Sequence, residues 1–235
     1  MIWRRMGAQE RETRMERAEG IEMADPALGA HLVGLRIPLP RMPLALFGGS
    51  FNPPHLAHLA VAEACAEAAG LDRVLWMPAA TSPFKQGDPS LAPAETRLRM
   101  VQAAIAGNDR FAASDLEVTR NGVSYTVDTV RQLRADGHED LALVVGGDSL
   151  AGFPRWREAE AIARMARLLV YRRPGDTVDL GGLPDWLATA VTIVDGPALD
   201  LSSTEIRARI GARRTVRYLV PDAVRAVIEA EGLYR

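Results

Sequence analysis

The sequence predicts an α/β fold in which a parallel sheet is covered by helices on both faces, the doubly wound arrangement. Short apolar runs rich in β-branched residues alternate along the chain with longer segments of helical periodicity, as in residues 43–78 and 141–171. Two of these runs pass directly into glycine turns, at Gly48-Gly49 and Gly146-Gly147. Such turns are typical of the sheet edge where parallel strands end at a ligand.

The composition is that of a globular protein with a small-molecule partner. The 235 residues are 48% hydrophobic and 25% charged, which is enough for one full core. The net charge of −2 gives no basic field, so we expect no nucleic-acid partner. Because no apolar run reaches the roughly 18 residues of a membrane span, and no apolar signal core is present, we expect no membrane partner and a cytoplasmic location.

Residues 1–40 differ from the remainder of the chain. They combine mixed charge with little periodic apolar content, which predicts a poorly ordered N-terminal extension, with Met23 or Met42 as alternative starting residues. The domain is therefore expected to span residues 41–235. The single cysteine, Cys65, permits neither an intramolecular disulfide nor a cysteine-based metal cluster.

The first part of this domain predicts a βαβ unit. Residues 43–48 are an apolar run, and an alanine-rich helix is expected from about His55 to Ala69, ending at Gly70. A second strand is expected over residues 73–78. The crossover should be right-handed, which makes the two strands parallel.

The elements that follow continue the alternation. After a loop at residues 79–92, a helix is predicted over residues 93–106 with Val101 and Ile105 on its apolar face. Arg97 and Arg99 are expected to lie off that face. Further strands are predicted at 111–118, 141–145, 168–171 and 191–194, further helices after 126, over 158–165, from 202 and from 221, and a variable surface connection at 175–190.

The turn after the first strand has the properties of an anion site. Gly48 and Gly49 let the backbone approach a ligand, and His55 and His58 follow in the first helical turns. Unpaired N–H groups and the positive end of a helix dipole attract phosphate oxygens there. The G-x-x-x-x-G-K-[ST] pattern of the P-loop and the third glycine of a dinucleotide fingerprint are both missing.

Residues 48–58 (GGSFNPPHLAH) resemble the G-G-[ST]-F-[DN]-P-x-H-x-G-H signature of the nucleotidyltransferases that carry an H-x-x-H motif. Ala57 stands where that family usually has glycine. The loop at residues 82–85 (SPFK) resembles the family's Pro-Pro-His-[KR], with Phe84 in place of the histidine and Lys85 keeping the cation.

A second stretch, residues 201–207 (LSSTEIR), resembles the family's [IV]-S-[SA]-T-x-[IL]-R motif, and Ser202 and Glu205 have capping-box spacing at the start of a helix. Five further matches narrow the resemblance to the nicotinate-nucleotide adenylyltransferases; they lie at residues 124–126, 146–150, 153–156, 172–174 and 217–221. Trp156 lies between two arginines and is either a stacking platform for a flat ring or a core residue.

The resemblance implies a Rossmann-like nucleotidyltransferase fold and transfer of AMP from ATP to nicotinate mononucleotide, with Mg²⁺ on the triphosphate and no metal ligands from the protein. It implies catalytic roles for His55, His58 and Arg207. It implies ATP contacts from Gly48, Gly49, Ser50, Phe51, Asp148, Ser202, Ser203 and Thr204. It implies contacts to the second substrate from Lys85, Tyr125, Thr126 and Trp156.

Three other interpretations stay open at this point. The first motif also fits an adenylyltransferase for nicotinamide mononucleotide or phosphopantetheine. Ala57 and Phe84 would suit a non-catalytic nucleotide sensor, and His55-Leu56-Ala57-His58 also occurs in class I aminoacyl-tRNA synthetases, although the chain is short and lacks a basic surface for tRNA. The oligomeric state does not follow from the sequence.

Overall fold

A computed structural model describes residues 43–173 and 175–235. Within them the chain forms a six-stranded, wholly parallel sheet with the strand order β3-β2-β1-β4-β5-β6. The strands are β1 (Leu44–Gly49), β2 (Arg73–Pro78), β3 (Phe111–Ala113), β4 (Leu141–Gly146), β5 (Arg167–Arg172) and β6 (Val191–Asp195). The doubly wound parallel sheet is thereby confirmed, whereas the predicted extension at residues 1–40 lies outside the described residues.

The helices follow the strands in alternation. They are α1 (Leu56–Ala68), α2 (Ala94–Ile105), α3 (Leu116–Arg120), α4 (Thr126–Ala135), α5 (Gly147–Leu150), α6 (Ala159–Met165), α7 (Asp185–Ala188), α8 (Ser203–Gly211) and α9 (Asp222–Ala230), with a 3₁₀ turn at Phe153–Arg155. None of the helices in the described part of the chain is long and apolar enough to cross a membrane.

The sheet is buried on both faces, which is why its strands are continuously apolar. Ala45 and Phe47 of β1 point into one core, which also contains Cys65 as a small packing residue. Leu44 and Leu46 point into the opposite core. Helices α1, α2, α8 and α9 cover the first core, and α4, α6 and α7 cover the second.

Strand order reverses between β1 and β4. Leu44 of β1 pairs with Arg73 of β2 on one side and with Leu141 of β4 on the other. Strands β2 and β3 lie on one side of β1, and β4, β5 and β6 lie on the other. The loops after β1 and β4 therefore leave the sheet towards opposite faces. A crevice therefore opens at the carboxyl ends of these two strands, where doubly wound proteins bind their ligands.

Two predicted elements differ from the structure. The strand expected at residues 111–118 ends at Ala113, and α3 begins at Leu116, because the Ser114 hydroxyl accepts the Leu116 N–H at 3.2 Å and starts a helical turn. The surface connection expected at 175–190 contains the short helix α7, which buries Leu187 completely.

The prediction that Arg97 lies off the apolar face of α2 was wrong. Only 1% of its surface is exposed, and it lies on the buried side of the helix with Val101 and Ile105. These three residues are spaced four apart, so they form one row along the helix. Arg99 is exposed, as expected.

Candidate active site

The loop between β1 and α1 presents backbone to the crevice. A Cβ atom added at Gly48 would meet no atom within 4 Å, so this part of the backbone faces open space. At Gly49 an added Cβ would lie 3.2 Å from the ring of Phe51, which explains why the second position is also glycine. Phe51 itself is buried, has φ of 46°, and packs edge-on against Phe47 at 5.4 Å between ring centroids.

The two histidines lie together at the start of α1. Their ring centroids are 3.7 Å apart, and the His55 backbone N–H donates to His58 Nδ1 at 3.2 Å. Because Nδ1 of His58 accepts that hydrogen bond, a neutral His58 must carry its proton on Nε2. The predicted spacing therefore positions an imidazole N–H donor at the helix start.

Both imidazoles are neutral in the ligand-free protein at pH 7. Burial, and to a lesser extent the charge of Arg173, lowers the pKa of His55 to about 4. Burial also holds the pKa of His58 well below its usual value, with further lowering from His55 and Lys85. His55 Nδ1 is buried without a hydrogen-bond partner among the described residues.

Helix α8 opens as the capping-box spacing predicts. Ser202 is its N-cap, and the Ser202 hydroxyl accepts the Glu205 N–H at 3.1 Å. Ser202 and Thr204 are exposed at this helix start, and Ser203 is half-buried.

The structure joins the two motifs, which lie far apart in the sequence. The Ser203 hydroxyl donates to the Pro53 carbonyl at 2.9 Å, across 150 residues. Arg207 Nη1 donates to the Asn52 carbonyl at 3.0 Å. These two contacts hold the N-terminal half of α8 against the segment that joins the glycine loop to the histidine pair.

A cavity of about 540 Å³ opens at the carboxyl ends of β1 and β4. Its lining includes Gly48, Gly49, Ser50, Tyr125, Thr126 and Trp156 from the predicted site. Most ligand cavities for small molecules have a similar volume and a mainly apolar lining with a few polar groups. The residues assigned to the second substrate are therefore next to the glycine loop, with Lys85 on the neighbouring loop.

Trp156 has features of both roles that its sequence context allowed, a core residue and a stacking platform. It is half-buried, and its ring packs at 4.9 Å and 38° against the buried Phe153, while it also lines the cavity. Its backbone N–H donates to the Phe153 carbonyl at 2.9 Å. That N–H is therefore engaged in the 3₁₀ turn. Arg157, which also lines the cavity, lies 4.6 Å from the centroid of the Tyr125 ring.

The remaining predicted residues lie at the rim. Lys85 is half-buried, and its pKa is lowered first by burial and then by the charge of Arg207. Phe84 lines the cavity with 74% of its surface exposed. Asp148 is exposed beside the cavity and turns back over β4, since a Cβ at Gly146 would lie 2.7 Å from Asp148 Oδ1.

Two residues near the site were given no role from the sequence. Asn52 is 1% exposed; its Oδ1 accepts the Ala92 N–H at 3.0 Å and the Tyr234 hydroxyl at 2.7 Å. Glu117 is buried, lines the cavity and accepts a hydrogen bond from Thr129 at 2.5 Å. The only sequence signal for Asn52 was its place in the first motif, where the family has Asp or Asn. Glu117 was missed because residues 111–118 were predicted to form a strand.

Comparisons with known proteins agree with this architecture. The family model described as Cytidylyltransferase-like matches residues 46–209. A protein of Roseiflexus sp. (strain RS-1), named "Probable nicotinate-nucleotide adenylyltransferase", is 45% identical over 196 residues, which cover 82% of this chain and 98% of the relative. A Salinibacter ruber protein of the same name is 46% identical over 196 residues, covering 83% of this chain and 98% of that protein.

A solved structure shows the same fold. It is "Plasmodium falciparum nicotinic acid mononucleotide adenylyltransferase complexed with NaAD", with a TM-score of 0.67 and 18% identity, over 82% of this chain and 97% of that one.

The reversed strand order, the glycine loop, the neutral histidine pair and the second helix start together define an α/β nucleotidyltransferase. The resemblance found in the motifs is confirmed by the family model, which runs through both of them, and by relatives that match most of the chain. The chain belongs to the cytidylyltransferase-like family and, within it, to the nicotinate-nucleotide adenylyltransferases.

Proposed function

We propose that this chain transfers AMP from ATP to nicotinate mononucleotide, forming nicotinate adenine dinucleotide and pyrophosphate in NAD biosynthesis. The observation that carries the proposal is the hydrogen bond between Arg207 and the Asn52 carbonyl, 3.0 Å long. It brings the second motif against the first, next to a cavity with an aromatic wall. One nucleotide can then lie along the loop and helix start while the second occupies the cavity.

ATP is assigned to the glycine-loop side. The backbone of residues 48–51 and the start of α8, with Ser202, Ser203 and Thr204, would hold the phosphates, since helix N-termini and unpaired N–H groups bind anions. Ser203 already donates its hydroxyl proton to Pro53, so its oxygen and its backbone N–H remain for the nucleotide. Asp148, exposed beyond β4, would accept hydrogen bonds from ribose hydroxyls.

The reaction suits a site without a strong general base. A phosphate oxygen of nicotinate mononucleotide attacks the α-phosphorus of ATP, a new P–O bond forms, and the bond to the β-phosphate bridging oxygen breaks to release pyrophosphate. The attacking phosphate is mostly ionised at pH 7, because its second pKa is about 6. Catalysis therefore consists of alignment and charge stabilisation.

His55, His58 and Arg207 are the residues proposed for that stabilisation. His58 offers an Nε2–H donor because its Nδ1 is engaged by the His55 N–H. Arg207 uses one nitrogen on Asn52, which leaves the other face of its guanidinium for phosphate oxygens. Lys85 lies close enough for Arg207 to lower its pKa, which makes it a further cation for the phosphates.

Magnesium is proposed as a companion of ATP rather than a resident ion. No group of three or more His, Cys, Asp or Glu side chains within the described residues could hold a metal. Mg²⁺ is commonly held by substrate phosphates and water with few protein ligands. When bound, it would neutralise charge on the phosphate oxygens.

The nicotinate ring is assigned to the cavity, between Trp156, Tyr125 and Thr126. A ring carboxylate would be favoured there over an amide for two reasons. Arg155 and Arg157 line the same cavity, and Thr126 opens α4, whose first N–H groups form the positive end of the helix. Because the Trp156 N–H is already bonded, we assign the acid preference to these groups. We further propose a cytoplasmic location and no nucleic-acid or membrane partner.

The test is an assay of the purified chain with ATP, Mg²⁺ and either nicotinate or nicotinamide mononucleotide, measuring pyrophosphate and the dinucleotide. We expect both products, with the acid used more efficiently than the amide. Preference for the amide would keep the transfer reaction but overturn the assigned acceptor. Absence of pyrophosphate with either acceptor would overturn the proposed function.

A further inference from the structure

Arg97 is an arginine with every nitrogen engaged by backbone. It lies in the first half of α2 and is 1% exposed. Nε donates to the Ala92 carbonyl at 2.9 Å, Nη1 to Ser50 at 2.9 Å and Ala79 at 2.7 Å, and Nη2 to Ala80 at 2.8 Å. One side chain thus connects the loops that follow β1 and β2 with the start of its own helix.

This buried cation has no carboxylate partner. No Asp or Glu oxygen in the described parts of the chain lies within 4.0 Å of the Arg97 guanidinium. Removing a charge from water costs several kcal/mol, and an opposite charge offsets that cost only when it contacts the buried group in good geometry. Carbonyl dipoles offset part of that cost, and Glu95 acts on the Arg97 charge without contacting the guanidinium. Its charge also reaches Lys85, whose pKa it helps to lower.

The hydrogen bond to Ser50 determines which way the loop amides point. In a planar trans peptide the C=O of one residue and the N–H of the next point in opposite directions. Because Arg97 holds the Ser50 oxygen, the Phe51 N–H is directed away from Arg97. No hydrogen bond from the Phe51 N–H to another described residue is present. That N–H belongs to the loop assigned to ATP.

The hydrogen bonds of Arg97 to the loop after β2 reach the part of the site assigned to the second substrate. Arg97 holds the Ala79 and Ala80 carbonyls, and the Ala80 N–H donates to the Ser124 hydroxyl at 3.0 Å. Ser124 precedes Tyr125 and Thr126, and all three line the cavity. The same guanidinium therefore supports the backbone of the glycine loop and the backbone beside the cavity.

We propose that Arg97 is a positioning residue for the triphosphate: by holding the Ser50 carbonyl it aims the Phe51 N–H at the phosphates, and its unpaired charge favours a polyanion there. The inference rests on the proposed function, because it assumes that ATP occupies the glycine loop. Arg97 does not contact the nucleotide, so its effect passes through the loop backbone. Ligands with phosphates should therefore depend on Arg97, and a ligand without phosphates should not.

The experiment compares three ligands in four forms of the full chain. Dissociation constants for ATP, pyrophosphate and adenosine are measured for wild type, Arg97→Met, Arg97→Lys and the control Arg99→Met. Arg99 lies on the same helix, but it is exposed and donates to Glu231 at 2.5 Å. Its replacement removes the same charge without touching the loop.

We expect Arg97→Met to weaken ATP and pyrophosphate binding by about 10- to 100-fold while adenosine binding changes less than about twofold. Arg97→Lys keeps the charge but cannot donate to four carbonyls in a fork, so we expect an intermediate loss. Arg99→Met should bind all three ligands as wild type does. Thermal unfolding of each form separates lost stability from lost affinity.

Three other results would overturn the positioning role of Arg97, and the first of them would also overturn the proposed function. If wild type binds neither ATP nor pyrophosphate, the proposed function fails, and the role of Arg97 fails with it. If wild type binds both, but the Arg97 variants retain full affinity or lose adenosine by the same factor, only the positioning role is overturned. If neither Arg97 variant folds, Arg97 serves stability alone, and the positioning role is likewise overturned.

Discussion

Arg207 Nη1 lies 3.0 Å from the carbonyl oxygen of Asn52, although 155 residues separate them in the chain. The contact places the N-terminal half of α8 against the loop that follows β1. Asn52 is held in turn by Ala92 and Tyr234, so the loop is restrained from three directions. Restraint of this kind suits a reaction whose catalysis depends on alignment, because small displacements of a catalytic group cost much of the rate.

Replacing Arg207 should reduce turnover far more than stability. We expect Arg207→Ala to lower kcat by about 10²- to 10³-fold, the usual effect of losing one donor to developing charge. Its hydrogen bond to Asn52 should add only about 1 kcal/mol to stability. The matched control is Arg209→Ala on the same helix, where the side chain donates to the Thr215 carbonyl at 3.1 Å. A kcat within threefold of wild type in Arg207→Ala would remove Arg207 from the reaction.

The histidine pair should make the ligand-free protein less stable in acid. An unfolded histidine binds a proton near pH 6.5, whereas folded His55, with a pKa of about 4, does not. Between these values the unfolded state holds more protons, so the free energy of unfolding rises with pH from about 4 to 6.5. His55 should contribute on the order of 3 kcal/mol to that rise.

Urea unfolding between pH 4.5 and 7.5 measures this effect in wild type and His55→Asn. The stability difference between the two forms should change across this range, with wild type losing more stability than the variant as the pH falls. Parallel stability curves would contradict the low pKa of His55. ATP should oppose the loss, because nearby phosphates favour the protonated imidazole.

Trp156 should matter for the pyridine nucleotide and not for ATP. Stacking of a base on an aromatic side chain contributes about 1–3 kcal/mol, so we expect Trp156→Ala to raise KM for nicotinate mononucleotide about tenfold or more. Trp156→Phe should recover most of the loss. The control is Trp186→Ala, because Trp186 packs against the second core and does not line the cavity. Equal increases in KM for both substrates would contradict the assignment.

Gly146 offers an indirect test of Asp148. A methyl group at Gly146 would lie 2.7 Å from Asp148 Oδ1, so the exposed carboxylate must move aside in Gly146→Ala. If Asp148 binds the ribose of ATP, Asp148→Asn should raise KM for ATP about tenfold, and Gly146→Ala should reproduce part of that increase. The melting temperature should change little in both variants, because a surface carboxylate is involved. Unchanged KM values in both would exclude Asp148 from ATP binding.

The sequence was most informative where a local pattern corresponds to a local structure. The strands at β1, β2, β4, β5 and β6 lie within about two residues of their predicted positions, because each is an apolar run bounded by glycine, proline or charge. The two nucleotidyltransferase motifs were also evident, since each occupies a single turn and its helix start. The prediction at residues 111–118 failed because one hydroxyl, that of Ser114, redirects the chain after β3.

Arg97 shows what a local pattern cannot reveal. Its spacing from Val101 and Ile105 was visible in the sequence, but an arginine in such a row is usually read as a solvated cation. Its acceptors, Ser50 and Ala79, come directly after the ends of two different strands. They become neighbours only because β1 pairs with β2 in parallel register.

The sequence by itself determined the α/β class, the order of most elements, the two motifs and the family. The tertiary structure decided which of those parts meet: Arg207 with Asn52, Arg97 with the glycine loop, and Trp156 with the cavity at β1 and β4. The physical reason is that periodicity records which face of an element is buried. Hydrogen bonds between distant segments depend instead on how the strand ends are aligned in the folded sheet.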